Sequence, residues 1–261
     1  MTPATVQKIV VASPALGGYL DTCYVVLPPG YASHPRRRYS VLYLLHGFTG
    51  KPTDFLTILD VQDVEAVLVA EGKMQPLILV MPSGTRSFFT DTEWANGIGP
   101  GNGWETFVAR DLVHTIDTRY RSLGGGAGRG IAGLSEGGYG ALNIGLHHPG
   151  EFTLLESWSG YMRADDFPAI FGHRATVLRY NSPADWVPSV AAQLRAERAF
   201  IWFYCGSSDF MRVGNRAFNA ELTALAVAHH YFEPAGSHTF AMWQSHLPQA
   251  LITASEHLGP G

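Results

Sequence analysis

Residues 128–142 read Gly-Arg-Gly-Ile-Ala-Gly-Leu-Ser-Glu-Gly-Gly-Tyr-Gly-Ala-Leu. The segment begins with a short apolar run, passes through Gly-Leu-Ser-Glu-Gly at 133–137 and continues into small residues with a helical pattern. A G-x-S-x-G sequence between a strand and a helix is typical of a sharp turn that presents a serine hydroxyl as a nucleophile. We expect glycine at 133 and 137 because side chains there would collide with neighbouring strands. Ser135 is therefore the candidate nucleophile.

The motif needs support from its surroundings, because a chain with 29 glycines among 261 residues has roughly one chance in six of containing it by accident. That support is the alternation of short apolar runs with helical patterns. Runs that are apolar throughout indicate strands covered on both faces, and their alternation with helices indicates a mostly parallel sheet. Strands are predicted at 6–12, 23–27, 39–45, 77–81, 128–134, 152–158, 199–205 and 229–232, and helices at 61–71, 104–120, 136–148, 213–228 and 239–257.

These elements predict an α/β fold with a mostly parallel central sheet, helices on both faces and an antiparallel entry formed by the first two strands. We expect a single domain over residues 1–261. Two stretches interrupt the regular pattern. The long loop at 82–103 leaves the carboxyl end of a strand and is expected to face a substrate. Residues 160–198 are expected to form a partly helical excursion beside the site.

Composition narrows the class of protein. A hydrophobic fraction of 46% with 15% charged residues indicates a globular chain rather than a disordered one. The net charge is −4 and the one basic run, 36–38, is expected to be a solvated loop, so no nucleic-acid partner is predicted. Cys23 and Cys205 lie in strand-like apolar segments, where we expect buried free thiols.

The chain is expected to be soluble. No window approaches the ~18 consecutive apolar residues of a membrane span, and residues 1–10 lack the pattern of a signal peptide. Both a cytoplasmic protein and a secreted protein given without its leader fit these observations. The oligomeric state is left open.

An acyl-transferring serine requires a base for its proton and an acid that orients the base. Asp209 follows the strand predicted at 199–205, and His238 follows the strand predicted at 229–232 in a Gly-flanked loop. The carboxyl ends of parallel strands lie along one edge of a sheet, so Ser135, Asp209 and His238 can meet there in the order Ser, Asp, His. The acid has competitors that their positions do not exclude: Glu221, which is the main alternative, Asp54 and Asp185.

Two backbone amides are expected to form an oxyanion hole. One is the amide of Glu136, directly after the nucleophile, and the other is the amide of Phe48, in the loop after the strand at 39–45. Gly47 would let that loop come close to the serine. We expect His46 to shape the loop rather than to act in chemistry. The Glu136 side chain is given no chemical role, because its position in the first turn of a helix is explained by the helix dipole.

No cofactor or metal is predicted. The histidines, cysteines and acidic residues do not cluster with the spacing of metal ligands, and no G-x-G-x-x-G follows a strand with an acidic residue about 20 positions later. The adjacent pair His147 and His148 lies at the end of a helix, where capping or a dipole interaction is the ordinary explanation.

The chain resembles the esterase D-like "Putative esterase" family of the α/β-hydrolase fold, which includes feruloyl esterases, S-formylglutathione hydrolases and mycolyltransferases. The resemblance rests on segments in family order that span most of the chain: Leu-Tyr-Leu-Leu-His-Gly-Phe at 42–48, Phe-Phe-Thr-Asp at 88–91, Trp-Glu-Thr-Phe-Val at 104–108, Gly-Leu-Ser-Glu-Gly-Gly-Tyr-Gly-Ala-Leu at 133–142 and Gly-Ser-His-Thr-Phe-Ala-Met-Trp at 236–243.

The resemblance implies that Ser135, Asp209 and His238 form a triad that hydrolyses or transfers an acyl group, with the amides of Phe48 and Glu136 as oxyanion hole. Members of the family often have Met where Glu136 stands, which leaves a backbone role intact. The mycolyltransferases use a glutamate as acid in the region of Glu221, which keeps that alternative open.

We therefore expect a serine carboxylesterase for small-molecule esters with small to medium acyl groups, aromatic ones included. An acyltransferase and a catalytically idle binding module are the alternatives. Five aromatic residues near the predicted site loops are candidates for substrate binding, although core packing explains them equally well: Phe88, Phe89, Trp94, Trp104 and Trp158.

Overall fold

The structure is a computed structural model that describes residues 4–87, 91–165 and 167–259. In these residues, alternating side chains of the short apolar segments are divided between two hydrophobic layers. Tyr43, Ile131 and Leu155 face one layer, and Leu42 and Leu154 face the other. Because successive side chains of a strand point to opposite faces, a strand buried on both faces must be apolar throughout.

One eight-stranded sheet runs through the described residues. Its strands are β1 (Thr5–Ser13), β2 (Tyr19–Leu27), β3 (Val41–Leu45), β4 (Ile78–Pro82), β5 (Arg129–Leu134), β6 (Leu154–Trp158), β7 (Phe200–Tyr204) and β8 (His229–Phe232). They lie side by side in the order β1-β2-β4-β3-β5-β6-β7-β8. β2 pairs antiparallel with β1 and β4, and the pairings from β4 to β8 are parallel. The mostly parallel sheet and its antiparallel entry confirm the prediction.

Helices connect the strands and cover the sheet. They are α1 (Asp54–Thr57), α2 (Val61–Ala70), α3 (Trp104–Thr106), α4 (Val113–Arg119), α5 (Glu136–His147), α6 (Pro168–Phe171), α7 (Ala175–Tyr180), α8 (Pro183–Ala196), α9 (Arg212–Ala224) and α10 (Phe240–His257). The helix predicted at 104–120 consists of α3, a π-helical stretch (Phe107–Leu112) and α4. The stretch predicted as a partly helical excursion contains α6, α7 and α8.

The sheet topology brings the carboxyl ends of β3, β5, β7 and β8 to one edge. These four strands precede the loops with Phe48, Ser135, Asp209 and His238. The same packing buries Cys23 and Cys205 as free thiols, as predicted. Within the described residues, the helices fall short of the length and apolar character that crossing a bilayer requires.

Candidate active site

Ser135 occupies a strained turn between β5 and α5. Its backbone angles are φ 56° and ψ −121°, which lie outside the regions that non-glycine residues ordinarily adopt. The turn is anchored to the neighbouring strand, because the Ser135 amide donates a 2.9 Å hydrogen bond to the carbonyl of Trp158. Such strain persists only where the surrounding structure fixes the chain, so the hydroxyl has a defined position.

Two glycines make this turn possible. A Cβ atom at Gly137 would lie 1.9 Å from the carbonyl oxygen of Leu45, and one at Gly133 would lie 2.3 Å from the carbonyl oxygen of Gly137. Side chains at these positions would collide with backbone, as the sequence pattern predicted. The elbow therefore packs against the end of β3 at backbone distance.

His238 joins Ser135 to Asp209. Its Nε2 lies 2.8 Å from the Ser135 Oγ, and its Nδ1 lies 2.9 Å from an Oδ of Asp209. A carboxylate only accepts hydrogen bonds, so Nδ1 carries the proton donated to Asp209 and Nε2 is free to accept the serine proton. The order of contacts is that of a nucleophile, its base and an orienting acid.

The Asp209 carboxylate is buried but kept ionised by its partners. Burial alone would raise its pKa, but hydrogen bonds from His238 and from the amide of Met211 together hold the pKa below its ordinary value. An ionised acid next to Nδ1 favours the positive charge that the imidazole gains when it takes a proton. The side chain of His238 is 18% exposed, so the pocket side of the ring is open to a ligand.

None of the three competing acids is hydrogen-bonded to His238 in the described residues. Glu221 lies on α9, and none of the described hydrogen bonds joins it to His238. Asp54 accepts the amide of Lys51 at 3.0 Å, and Asp185 pairs with Arg163 at 2.8 Å.

The loop after β3 approaches the elbow closely. A Cβ atom at Gly47 would lie 3.0 Å from the Cβ of Ser135, so glycine allows the backbone contact that was predicted. Phe48 follows, with its side chain 55% exposed at the mouth of the site. Glu136 begins α5 directly after Ser135, so its amide belongs to the first turn of the helix.

A cavity of about 270 Å³ opens beside Ser135. Its walls are mainly apolar and include His238 and Ser135. The lining residues are His46, Gly47, Phe48, Thr49, Gly50, Asp54, Phe55, Leu134, Ser135, His238, Thr239, Phe240 and Trp243. The exposed ring of Phe210 lies 4.9 Å from the His238 ring. Sequence reasoning missed Phe55, Phe240 and Trp243, although the last two lie on the same helical face soon after His238.

His46 supports the loop, as expected. It is buried, its Nε2 lies 2.6 Å from the carbonyl oxygen of Ser83, and its Nδ1 lies 3.0 Å from the carbonyl oxygen of Gly47. Burial lowers its pKa. The indole Nε1 of Trp94 donates to the His46 carbonyl at 3.0 Å. These contacts connect β3, β4 and the 91–95 segment beneath the site.

The candidate substrate-binding tryptophans lie in the core. Trp94 and Trp158 are fully buried and Trp104 is 2% exposed. Trp104 packs edge-on against Tyr19 and Phe107. Bulky rings in these segments fill the space between sheet and helices, so they offer a ligand no accessible surface at the cavity beside Ser135. Residues 88 and 89, also candidates, lie outside the described residues.

The structure corrects the interpretation of Glu136. Its side chain is 6% exposed and meets Glu93 and Asp91, with one carboxylate oxygen of each within 4.8 Å of the others. Burial, and then the neighbouring carboxylates, raise the pKa of Glu93 and Glu136. A favourable interaction with the helix dipole therefore does not account for the burial of this side chain beside two other carboxyl groups. The sequence signal for this burial was a glutamate flanked by closely packed glycines. The irregular sequence pattern of the 82–103 loop, however, did not indicate that Glu93 would lie beside Glu136.

His147 and His148 have a more specific role than capping. Glu105, 2% exposed, lies 3.0 Å from a ring nitrogen of each. Burial alone would raise the pKa of Glu105, but the hydrogen bonds from the two histidines lower it to about 2. The cluster joins α3 to the end of α5, and His147 also contacts the carbonyl of Tyr180 at 2.7 Å.

Comparison with known proteins places this chain among esterases. The family model described as "Putative esterase" matches residues 14–254. An esterase of Mycobacterium tuberculosis is 29% identical over 246 residues, which cover 83% of this chain and 52% of that protein. The chain thus spans about half the length of the first curated relatives it matches. The feruloyl esterase-containing xylanase of Xylanibacter ruminicola is 31% identical over 55% of this chain and 20% of its own length.

The fold is shared with solved esterases. A structure named ferulic acid esterase superposes with a TM-score of 0.87 at 27% identity, covering 98% of this chain and all of that one. The eight-stranded sheet and its structural neighbours identify the α/β-hydrolase fold, as the resemblance implied.

Proposed function

The chain belongs to the "Putative esterase" family, and we propose that it is a serine carboxylesterase in which Ser135, His238 and Asp209 form the catalytic triad. The observation that supports this most directly is the pair of contacts of His238, 2.8 Å to the serine hydroxyl and 2.9 Å to the buried carboxylate. Residues 1–261 would act as a single hydrolase domain.

The reaction follows from these contacts. Ser135 Oγ attacks the carbonyl carbon of the ester while His238 Nε2 takes its proton, and the resulting imidazolium is stabilised by Asp209. The tetrahedral intermediate collapses, the C–O bond to the alcohol breaks, and the alcohol leaves with the proton from His238. Water then attacks the acyl-serine with His238 again as base, releasing the acid and restoring the serine.

The oxyanion would be held by the amides of Phe48 and Glu136. The close approach of Gly47 to Ser135 supports this position for the first, and the start of α5 supports it for the second. Removing one such donor typically costs about 10²–10³-fold in kcat.

The mechanism is tested with p-nitrophenyl acetate and butyrate. Ser135→Ala should lose esterase activity while its circular dichroism spectrum is unchanged. Equal hydrolysis by the variant and the wild type would refute the serine mechanism.

The acid is tested separately. Asp209→Asn should lower kcat by about 10⁴-fold, because the tautomer and charge of His238 are then wrong. Glu221→Gln is the matched control and should retain activity. The reverse result would transfer the role to Glu221.

The cavity supports small to medium acyl groups, including aromatic ones, because its volume is about 270 Å³ and its walls include Phe55, Leu134 and Phe240. Transfer of the acyl group to an alcohol uses the same intermediate and remains the alternative activity. Product analysis with competing alcohol acceptors separates hydrolysis from transfer. A catalytically idle module would predict a broken triad, whereas the contacts of His238 support an assembled one.

A further inference from the structure

Three acidic side chains meet directly behind the candidate nucleophile. Glu136 follows Ser135, and its carboxyl group lies with those of Glu93 and Asp91, one oxygen of each within 4.8 Å of the others. Glu93 is 1% exposed, and its Oε2 is buried without a hydrogen-bond partner among the described residues. Three ionised carboxylates at this separation in a buried site would repel one another strongly.

The surroundings supply little compensating positive charge. The ion pairs found in the described residues do not include Glu93 or Glu136. The groups that face them are Asp91 from the same segment, Tyr139 from α5 and His46, which lines a small cavity together with Glu136. Burial keeps the pKa of His46 low and that of Tyr139 high, so both are neutral at pH 7.

Asp91 is the least buried of the three, although burial raises its pKa as well. It is only partly buried, and one of its oxygens accepts the amide of Glu93 at 3.2 Å. Burial, followed by their acidic neighbours, raises the pKa of Glu93 and of Glu136. The Glu93 carboxyl group is hydrogen-bonded to that of Asp91, and the Glu136 carboxyl group accepts the Glu93 amide. A proton kept within this cluster would reduce the repulsion.

The pair connects two parts of the site. Glu136 begins α5 at the elbow, and Glu93 precedes Trp94, whose indole donates to the carbonyl of His46 at the start of the oxyanion loop. Glu93 and Trp94 both have φ 50°, a conformation that non-glycine residues hold only under constraint from outside. The Trp94 side chain fits against Gly140, where an added Cβ would lie 2.6 Å from the Trp94 Cβ.

We propose that Glu93 and Glu136, next to Asp91, keep a proton within this buried cluster and that these two glutamates hold the 91–95 segment against the elbow, so that they are positioning residues for the reaction of Ser135. The inference rests on the proposed esterase function. The pair keeps this proton at neutral pH and gains a further negative charge as the pH rises. The two carboxylates then repel each other, the elbow and oxyanion loop shift, and kcat falls with a smaller change in KM.

The pH dependence of kcat and KM for p-nitrophenyl butyrate tests this coupling. In the wild type, kcat should fall at the alkaline end by about tenfold for each pH unit once the pair ionises. In Glu93→Gln and Glu136→Gln, which each remove one ionisable group of the pair, the alkaline fall measured against each variant's own kcat at pH 7 should be absent. Glu65→Gln is the matched control: Glu65 is also a buried carboxyl group, but it lies on α2, and its substitution should leave the profile unchanged.

A readout that needs no activity separates this proposal from the serine mechanism. Difference infrared spectra at pH 7 between the wild type and Glu93→Gln should show the loss of a carbonyl band of a protonated carboxylic acid. Loss of esterase activity in Ser135→Ala tests the function, whereas this band tests the pair even if the function is different. Circular dichroism verifies folding, and Glu136→Met repeats the comparison if Glu93→Gln does not fold.

Three results would overturn the proposal. The first is an alkaline profile that is the same in the wild type and both Gln variants. The second is the absence of the protonated-acid band. The third is a thermal stabilisation of the wild type by Ca²⁺ or Mg²⁺ that Glu93→Gln lacks, because a cation and not a proton would then hold the carboxylates together.

Discussion

Replacing Glu65 by glutamine should stabilise the protein at neutral and alkaline pH. Glu65 lies on α2 and is fully buried, and one carboxyl oxygen accepts the amide of Leu77 at 2.8 Å. Its other oxygen has no partner among the described residues. Burial raises its pKa from 4.5 to about 8, so the folded protein holds this proton at pH values where the unfolded chain releases it.

The sign of the effect follows from that difference. Between pH 4.5 and about 8 the folded state binds more protons than the unfolded state, so the free energy of unfolding decreases as the pH rises. The slope approaches about 1.4 kcal/mol per pH unit between the two pKa values and is smaller near each of them, so the contribution of Glu65 falls by roughly 3.5 kcal/mol between pH 5 and pH 8. Glutamine keeps an acceptor for Leu77 and cannot ionise, so the variant lacks this loss.

Urea denaturation of the wild type and Glu65→Gln at three pH values across this window measures the effect. Between pH 5 and pH 8, the free energy of unfolding of the variant relative to the wild type should increase by as much as the contribution of Glu65 falls. Glu71→Gln, which removes an exposed partner of Lys73, is the control and should change the free energy of unfolding by less than about 1 kcal/mol. If the stabilities of the wild type and Glu65→Gln run parallel with pH, the assignment of a buried proton to Glu65 is refuted.

Three further predictions concern the elbow and its supports. Gly137→Ala should destabilise the protein by about 3 kcal/mol or more, because the new Cβ would meet the Leu45 carbonyl at 1.9 Å. Thermal melting measures this loss, and the control Gly214→Ala, on the open face of α9, should be neutral or stabilising. Trp94→Phe removes the hydrogen bond to the His46 carbonyl and should cost about 1–3 kcal/mol in urea denaturation, with kcat reduced more than KM is changed; unaltered kinetics would contradict a link between Trp94 and the oxyanion loop. Glu105→Gln should lower the free energy of unfolding by about 3 kcal/mol at pH 7. This loss should shrink as the pH falls from 4.5 toward 2, because the depressed pKa of Glu105 stabilises the folded state only where the carboxyl group is ionised. A difference that does not depend on pH would show that the charge is not responsible.

The sheet was predictable because its strands are short and apolar on both faces. The predicted strand at 229–232 coincides with β8, and the one at 128–134 differs from β5 by one residue. The positions of Asp209 and His238 after strands then placed them beside Ser135, since parallel strands end at a common edge.

Other parts of the site depend on tertiary contacts that periodicity does not encode. The loop at 82–103 has no regular hydrophobic pattern, so neither the burial of Trp94 nor the meeting of Glu93 with Glu136 could be inferred from it. The histidines at the end of α5 were interpreted locally because Glu105 lies some forty residues earlier in the chain. In each case a side chain's role is set by a partner from a distant segment.

The two cysteines give the protein a practical property. Cys23 and Cys205 have no exposed surface, and burial raises the pKa of both thiols, that of Cys205 to about 12. Neither forms the nucleophilic thiolate near neutral pH that maleimide reagents require. A cysteine introduced at an exposed site such as Ser33 would therefore be labelled selectively by a fluorophore or spin label, with no need to remove the native cysteines.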